Sequence, residues 1–382
     1  MKHLIEFEVR SFRNVRPTKL EFRSGINVVL GKNAAGKTTL LNVLAEALQV
    51  FDLPSEERST RSVLARGNAK LERETTIAAK RPSDLTRHGS FSVSERFDAK
   101  LDNGSFSALL TDEHLELDGQ VIATGKNPLV ALFAELDARS KPLLGEFFGL
   151  ATTDVRRLDE SLEYFDSLLA FTQTRVGQTV EASPWSVLPR GMRNFLVQHN
   201  ENVGPFFTAK FLNRSAEVMG YEAAQGRIDV ESKSTAGKVE TRLANLRFAF
   251  SSGRDSFTHS SLSYGQKRLL SFFAISDACP EVLIADELVN GLHHDWIRAC
   301  IDEVGDRQAF LTSQNPLLLD YLAFDSAEEV QRGFVLCSRE TTGDTTQLVW
   351  RNPTPAEAAE FFAAYETGIQ TVSEILIAKG FW

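Results

Sequence analysis

The chain has 382 residues, room for one large domain or two ordinary ones, and its 42% hydrophobic and 24% charged content is that of a globular protein. A formal net charge of −9 argues against a chain held on nucleic acid by its overall charge, which would be basic; it leans toward a protein partner and leaves only a local basic patch open to DNA. No apolar run approaches the ~20 residues of a membrane span, Glu6 stands where an export signal would be apolar, and Cys279, Cys300 and Cys337 lie too far apart for a metal pattern, so the expectation is a cytoplasmic protein with no membrane partner and with small, buried, reduced thiols.

Residues 4 to 30 read as two strands around a turn. Ile5, Phe7 and Val9 alternate with charged residues, as do Leu20 and Phe22, with Pro17 between them. The apolar run Ile26–Leu30 then leads into Gly31-Lys32-Asn33-Ala34-Ala35-Gly36-Lys37-Thr38, which is G-x-x-x-x-G-K-[ST], the phosphate-binding P-loop. A helical run from Thr39 to Leu48 follows, with Leu40, Leu41, Leu44 and Leu48 on one face. The chemistry requires this order. Glycines let the backbone N–H groups of Asn33, Ala34, Ala35, Gly36, Lys37, Thr38 and Thr39 curl around phosphate oxygens, and the helix N-terminus adds partial positive charge. Lys37 reaches the β- and γ-phosphates, and the Thr38 hydroxyl is a ligand for Mg²⁺.

Residues 54 to 68 are polar and read as a loop. From 69 to 125, short alternating runs are separated by Asp102-Asn103-Gly104 and Asp118-Gly119, which are hairpin signals, so an antiparallel β-subdomain is expected. Residues 126 to 222 read as mainly helical. Strand pairing resumes from Gly226 to Phe250, where Leu246, Phe248 and Phe250 alternate. Residues 262 to 278 read as a helix after a Ser/Gly start, and Val282–Ala285 as a buried parallel strand. Asp295 to Val304 reads as a helix capped by Asp295 and ended by Gly305. Ala309–Thr312 is a second buried strand. Pro355 to Ala378 reads as one amphipathic helix, and the terminal Phe381 and Trp382 are expected to pack back on their own domain, with a partner anchor as the other possibility.

The strand Val282-Leu283-Ile284-Ala285 runs into two acids, Asp286 and Glu287. Carboxylates at the C-terminal end of a strand occupy the ligand position of open α/β sheets. Asp286 suits the Mg²⁺ shell, and Glu287 suits orienting and polarising an attacking water. One helix earlier stands Leu262-Ser263-Tyr264-Gly265-Gln266-Lys267-Arg268. This is a serine with a glycine-opened helix N-terminus, a second anion-binding device. It resembles the Leu-Ser-Gly-Gly-Gln signature of ABC-type ATPases, with Tyr264 replacing one glycine. The resemblance implies that Ser263, Gly265 and Gln266 contact the γ-phosphate held by another subunit, so that two ATP molecules are sandwiched in a head-to-tail homodimer.

Leu288-Val289-Asn290-Gly291-Leu292-His293-His294 occupies the place of the D-loop of ABC ATPases. Its Gly-Leu-His form looks like the branch containing the OLD-family ATPases and stand-alone, AAA-labelled ATPases of bacterial defence, whereas SMC proteins and RecF usually carry Ala-Leu-Asp. A metal cluster of His293, His294 and Asp295 is the rival reading; adjacent histidines at a helix start do not readily face one ion. Thr312-Ser313-Gln314-Asn315-Pro316 resembles the switch region, where Gln314 replaces the usual histidine. Gln314 can hydrogen-bond a phosphate without carrying charge, which implies slow hydrolysis. Phe12-Arg13-Asn14 resembles the adenine-side strand of SMC, RecF and OLD-type heads and places Arg13 near base or phosphates. Gln173 and Gln178 are both candidates for the Q-loop.

The resemblance covers roughly residues 1 to 50 and 246 to 322. The implied fold class is α/β, an ABC-type P-loop NTPase head with an antiparallel β-subdomain and a helical lobe insertion. Its expected parts are 1–125, the P-loop lobe with the β-subdomain; 126–245, a mainly helical insertion; 246–352, the lobe with signature, carboxylates, D-loop and switch; and 353–382, a C-terminal helix. Too few residues follow the switch for the nuclease domain of full OLD proteins. The implied function is a slow ATPase using ATP and Mg²⁺, with Glu287 and Gln314 in catalysis, acting as sensor or scaffold for a separate effector such as a nuclease or toxin, in an anti-phage setting. A RecF-like DNA clamp is the alternative, with Arg156, Arg157, Arg190 and Arg193 available for a basic groove. A transporter subunit fits less well because of the long insert and the Gly-Leu-His D-loop.

Overall fold

The computed structural model describes residues 1–48, 56–79, 91–112, 114–123, 128–151, 171–176, 179–183, 206–235, 238–279, 281–313 and 315–381. The chain divides into two compact units: Met1–Val155 with Asp306–Thr312 and Leu322–Trp382, and Arg156–Gly305 with Ser313–Tyr321.

The first unit begins with β1 (His3–Phe12), β2 (Thr18–Glu21), β3 (Ile26–Leu30) and helix α1 (Lys37–Leu48). It continues with β4 (Arg58–Arg66), β5 (Ala69–Ala79), β6 (Phe91–Leu101), β7 (Gly104–Leu110), β8 (His114–Leu117) and β9 (Gln120–Ala123). These strands form an eight-stranded sheet in the order β2-β1-β4-β5-β6-β7-β8-β9, antiparallel throughout. The Asp118-Gly119 turn joins β8 to β9 with φ of 51° and 79°, as a two-residue hairpin requires. The expected β-subdomain is therefore present, and it is wider than expected. Arg58–Arg66, expected as part of a polar loop, is an interior strand. Its polar residues find partners across the sheet: Arg61 donates Nε to Glu72 of β5 at 2.5 Å and Nη1 to Glu6 of β1. Cross-strand ion pairs let such a sequence sit inside a sheet. In β1 the register slips between Leu4 and Glu6, so Leu4, Phe7 and Val9 are buried and Ile5 is only half-buried. One extra residue in a bulge moves the inward set.

Helices α2 (Pro128–Arg139) and α3 (Lys141–Ala151) follow. Phe147 of α3 is fully buried and meets Phe97 and Phe106 edge-on, with ring centroids at 5.5 and 5.2 Å.

The second unit contains β10 (Phe171–Val176), β11 (Thr179–Ser183), β12 (Phe206–Phe207), helix α4 (Lys210–Met219), β13 (Ala223–Thr235), β14 (Lys238–Ser252) and β15 (Asp255–Thr258). The strands are ordered β11-β10-β14-β13-β12, with β15 also on β14. The stretch 126–245, expected to be mainly helical, thus carries long strands among its described residues. β10 and the first half of β14 are polar and lack clear alternation, so their pairing is a tertiary choice. Helix α5 (Tyr264–Ala278), β16 (Val282–Ala285), helix α6 (His294–Val304) and a 3-10 turn (Pro316–Tyr321) complete this unit. α6 is N-capped by His293 and closed at Gly305, so Asp295 lies in its first turn instead of capping it.

The rest of the chain returns to the first unit: β17 (Gln308–Thr312), α7 (Ala327–Gly333), β18 (Phe334–Thr342), β19 (Thr345–Arg351), α8 (Pro355–Glu366) and α9 (Val372–Ala378). β3 lies between β17 and β18, parallel to both, and β19 runs antiparallel to β18. Val28, Val29, Phe310, Leu311, Phe334 and Val335 are all fully buried, as strands covered on both faces must be. The expected single C-terminal helix is two. Thr354 with Glu357 and Thr371 with Glu374 each form a complete capping box, and Gly368 at φ 64° separates them. Phe381 is buried, in line with packing on its own domain; Trp382 lies outside the described residues.

Candidate nucleotide site

The P-loop is built by close packing under its glycines. Gly31 has φ 141°, and a Cβ there would stand 2.2 Å from the Cys337 carbonyl oxygen of β18. Gly36 has φ 86°, and a Cβ there would stand 2.8 Å from Leu348 Cδ1 and 3.2 Å from Trp350 Nε1 of β19. Ala34 holds φ 61°, a left-handed backbone that non-glycine residues adopt at a cost of about 1–2 kcal/mol. Asn33, Ala34 and Thr38 are exposed, and Ala35 is buried. The Leu40 N–H reaches the Gly36 carbonyl at 2.9 Å to start α1. Lys37 Nζ donates to the carbonyls of Gly31 at 2.6 Å and Lys32 at 3.2 Å, so its ammonium spans the loop. A tight turn, a helix N-terminus and a lysine that can only donate are together the chemistry of a phosphate cradle, and the residues present fit a nucleotide's phosphates. The thiol of Cys337 beneath the loop is pushed up to about 12 by burial, which leaves it a protonated, inert packing group. All three cysteines are buried and free.

Arg13, expected near base or phosphates, is held by Glu56: its Nε donates to Glu56 Oε2 at 2.5 Å and its Nη2 to Oε1. It also lies 5.2 Å from the Phe12 ring centroid. The Glu56 carboxyl is pulled below its ordinary range by this bond.

In the second unit, Ser263 N-caps α5. Its Oγ accepts the Gln266 N–H at 3.3 Å, and its own N–H donates to Gln266 Oε1 at 2.9 Å. Gln266 Nε2 donates to the Tyr221 hydroxyl at 2.7 Å, so one end of that side chain serves the helix cap and the other is held by Tyr221. The expected helix start is therefore present. Gly265 packs directly on the turn that carries Gly291: a Cβ there would stand 2.4 Å from the Gly291 carbonyl oxygen.

β16 is wholly buried. Beyond it, Asp286 is buried and Glu287 half-buried at φ 50°. Asn290 Nδ2 donates to Glu287 Oε2 at 3.1 Å, which orients that carboxylate. Arg268, for which the sequence suggests no role, donates to three successive carbonyls of this turn. Nothing local in the sequence marks those partners. His293 and His294 are exposed; His294 Nε2 lies 2.9 Å from the Tyr321 hydroxyl. No cluster that could hold a metal ion is found among the described residues. Gln314, Gln178, Arg156, Arg157, Arg190 and Arg193 lie outside the described residues, and Gln173 is placed only as a position on β10.

Residues 26–320 match the AAA_21 family model, described as "AAA domain, putative AbiEii toxin, Type IV TA system". The chain belongs to this AAA-domain family. The AAA domain is also similar to DNA replication and repair protein RecF of Nostoc punctiforme, 28% identical over 203 residues, which cover 46% of this chain and 52% of that protein. RecF of Hydrogenovibrio crunogenus is 39% identical over 44 residues, 12% of each chain. RecF of Listeria welshimeri is 43% identical over 58 residues, 15% of each. The chain thus spans about half, or less, of the length of the curated relatives it matches. Among solved structures it is similar to an SMC head bound to the C-winged helix domain of ScpA, at TM-score 0.42 and 11% identity over 92% of this chain and 98% of that one. A second is the SMC head domain from Thermotoga maritima, at TM-score 0.39 and 12% identity over 91% and 98%. The α/β fold class that the resemblance implies is the one observed. No helix among the described residues is long and apolar enough to cross a membrane.

Proposed function

We propose that this AAA domain binds and slowly hydrolyses ATP, closes on a second copy of itself around two ATP molecules, and thereby controls a separate effector protein in a bacterial anti-phage setting. The observation that carries the reading is the P-loop, where the Cys337 carbonyl beneath Gly31 and the φ of 86° at Gly36 call for glycine and the Lys37 ammonium is held by the Gly31 and Lys32 carbonyls. Lys37 trades two neutral carbonyl partners for phosphate oxygens, a charge-assisted exchange. Mg²⁺, when bound, neutralises phosphate charge; the Thr38 hydroxyl and the Asp286 carboxylate are the oxygen ligands this chain offers it. Glu287, oriented by the Asn290 bond to Oε2, is the carboxylate we assign to orienting a water. Gln314 in place of a histidine supports slow turnover. The dimer and the effector rest on the signature resemblance.

The test is purification of a tagged Glu287→Gln protein from its native host with ATP and Mg²⁺ present. A stoichiometric nuclease, toxin or other effector that is lost in Lys37→Ala supports the reading. Recovery of the same partner with Lys37→Ala sinks it. The similarity to RecF favours one second reading, a DNA-binding repair clamp. That reading requires ATP-dependent DNA binding that weakens steeply with salt, and no binding at low salt removes it.

A further inference from the structure

We propose that Arg268 is a positioning residue: it ties the start of the signature helix to the carboxylate turn and holds Glu287 in its left-handed backbone conformation. The proposal rests on the reading of Glu287 as the water-orienting group.

Arg268 is 2% exposed. Its Nη2 donates to the carbonyls of Asp286 at 2.5 Å and Glu287 at 2.6 Å, its Nε to that of Leu288 at 3.2 Å, and its Nη1 to the Tyr264 hydroxyl at 3.1 Å. A guanidinium in an interior is costly unless its donors are satisfied. Here one planar fork gathers three consecutive main-chain acceptors and one side chain. The neighbouring positions on α5, Leu269, Leu270, Phe272 and Phe273, are buried and apolar, so packing alone does not require a charge at 268.

What the charge does is written in the turn. Glu287 has φ 50°, and a strained residue persists only where its surroundings over-determine it. Three carbonyls directed at one cation supply that determination. The other end of the fork reaches the helix start. Tyr264 is 58% exposed, and a Cβ on Gly291 would stand 3.3 Å from Tyr264 Cδ1. With Gly265 lodged against the Gly291 carbonyl, helix start and turn cannot shift independently. Whatever touches Ser263 and Tyr264 from outside is therefore felt at Glu287 through Arg268.

The experiment compares the full chain with Arg268→Lys, Tyr264→Phe and Glu287→Gln. It measures ATP turnover, affinity for a fluorescent ATP analogue, and hydrogen exchange in the 284–292 segment. An ammonium cannot reproduce the planar fork, and misplacement of a reacting group by about 1 Å costs on the order of a hundredfold in rate. The expected result for Arg268→Lys is a kcat lowered by about that factor, with KM and nucleotide affinity near those of the parent and faster exchange at 286–291. Tyr264→Phe shifts the same readouts in the same direction by less. A folded Arg268→Lys with parental kcat and exchange overturns the proposal. If Arg268→Lys does not fold, parental kcat and exchange in Tyr264→Phe overturn it. Parental turnover in Glu287→Gln removes the role of Glu287 instead, and the exchange of the turn in Arg268→Lys then decides the coupling by itself.

Discussion

Gly265→Ala is the sharpest perturbation of the contact between helix α5 and the turn at Gly291. The added Cβ would lie 2.4 Å from the Gly291 carbonyl oxygen. Carbon and oxygen approach comfortably to about 3.3 Å, so helix α5 and the Gly291 turn must part by roughly 0.9 Å. Neither side yields cheaply: the clash sets a Cβ fixed to the helix backbone against a main-chain carbonyl, and Gly291 at φ 75° is already in a turn that few residues adopt. Overpacking of this kind costs about 1–3 kcal/mol. If Glu287 orients the attacking water as proposed, a displacement of this size at its turn lowers turnover by about a hundredfold. Chemical denaturation and steady-state ATP turnover, measured on the same preparation, read both effects. A useful control is Gly145→Ala in α3, where a Cβ meets nothing within 4 Å. There the helix gains about 0.5–1 kcal/mol from the lower backbone entropy cost of alanine. Parental stability and turnover in Gly265→Ala would refute the close approach; a loss of similar size in Gly145→Ala would show that the assay reports helix glycines in general.

Two further predictions concern the first unit. Phe147→Ala empties a fully buried site between Phe97 and Phe106 and lowers unfolding free energy by about 3–5 kcal/mol. Phe147→Leu recovers most of that, and a loss under 1 kcal/mol for the alanine variant would contradict the packing. Glu357 accepts both Arg351 Nη1 at 2.6 Å and Nη2 at 2.8 Å as well as the Thr354 N–H at 2.7 Å, and the Arg351 bonds, ahead of the cap, bring its carboxyl from 4.5 down to about 2. A depressed folded value means the stabilisation is present above the unfolded value and fades as pH falls from about 5 toward 2. The pair is partly exposed, so Glu357→Gln costs no more than about 1 kcal/mol at neutral pH. The gap between parent and variant should shrink at pH 3, and a gap equal at pH 7 and pH 3 would count against the ion pair.

The features readable from residue order are those whose partners lie within a few positions. Gly31, Gly36 and Lys37 declare a strand–loop–helix turn because the required backbone angles are local. Ser263 and Gln266 declare a helix start because a capping box spans four residues. The apolar runs Val282–Ala285 and Ala309–Thr312 declare buried strands because each is covered on both faces. The Thr-x-x-Glu pairs at 354 and 371 carry the same local signal, and they mark the C-terminal break that continuous amphipathicity obscured.

Tertiary contacts settled the remainder. Arg58–Arg66 is polar enough for a loop and becomes a strand because Glu6 and Glu72 arrive from two other strands to neutralise Arg61. The strands of 171–245 exist as pairings with one another, with little pattern of their own. Arg268 finds its three carbonyls 18 to 20 residues away, and Gly265 is needed because Gly291 comes to rest against it. In each case the energy lies in a contact between residues distant in sequence, which no local periodicity encodes.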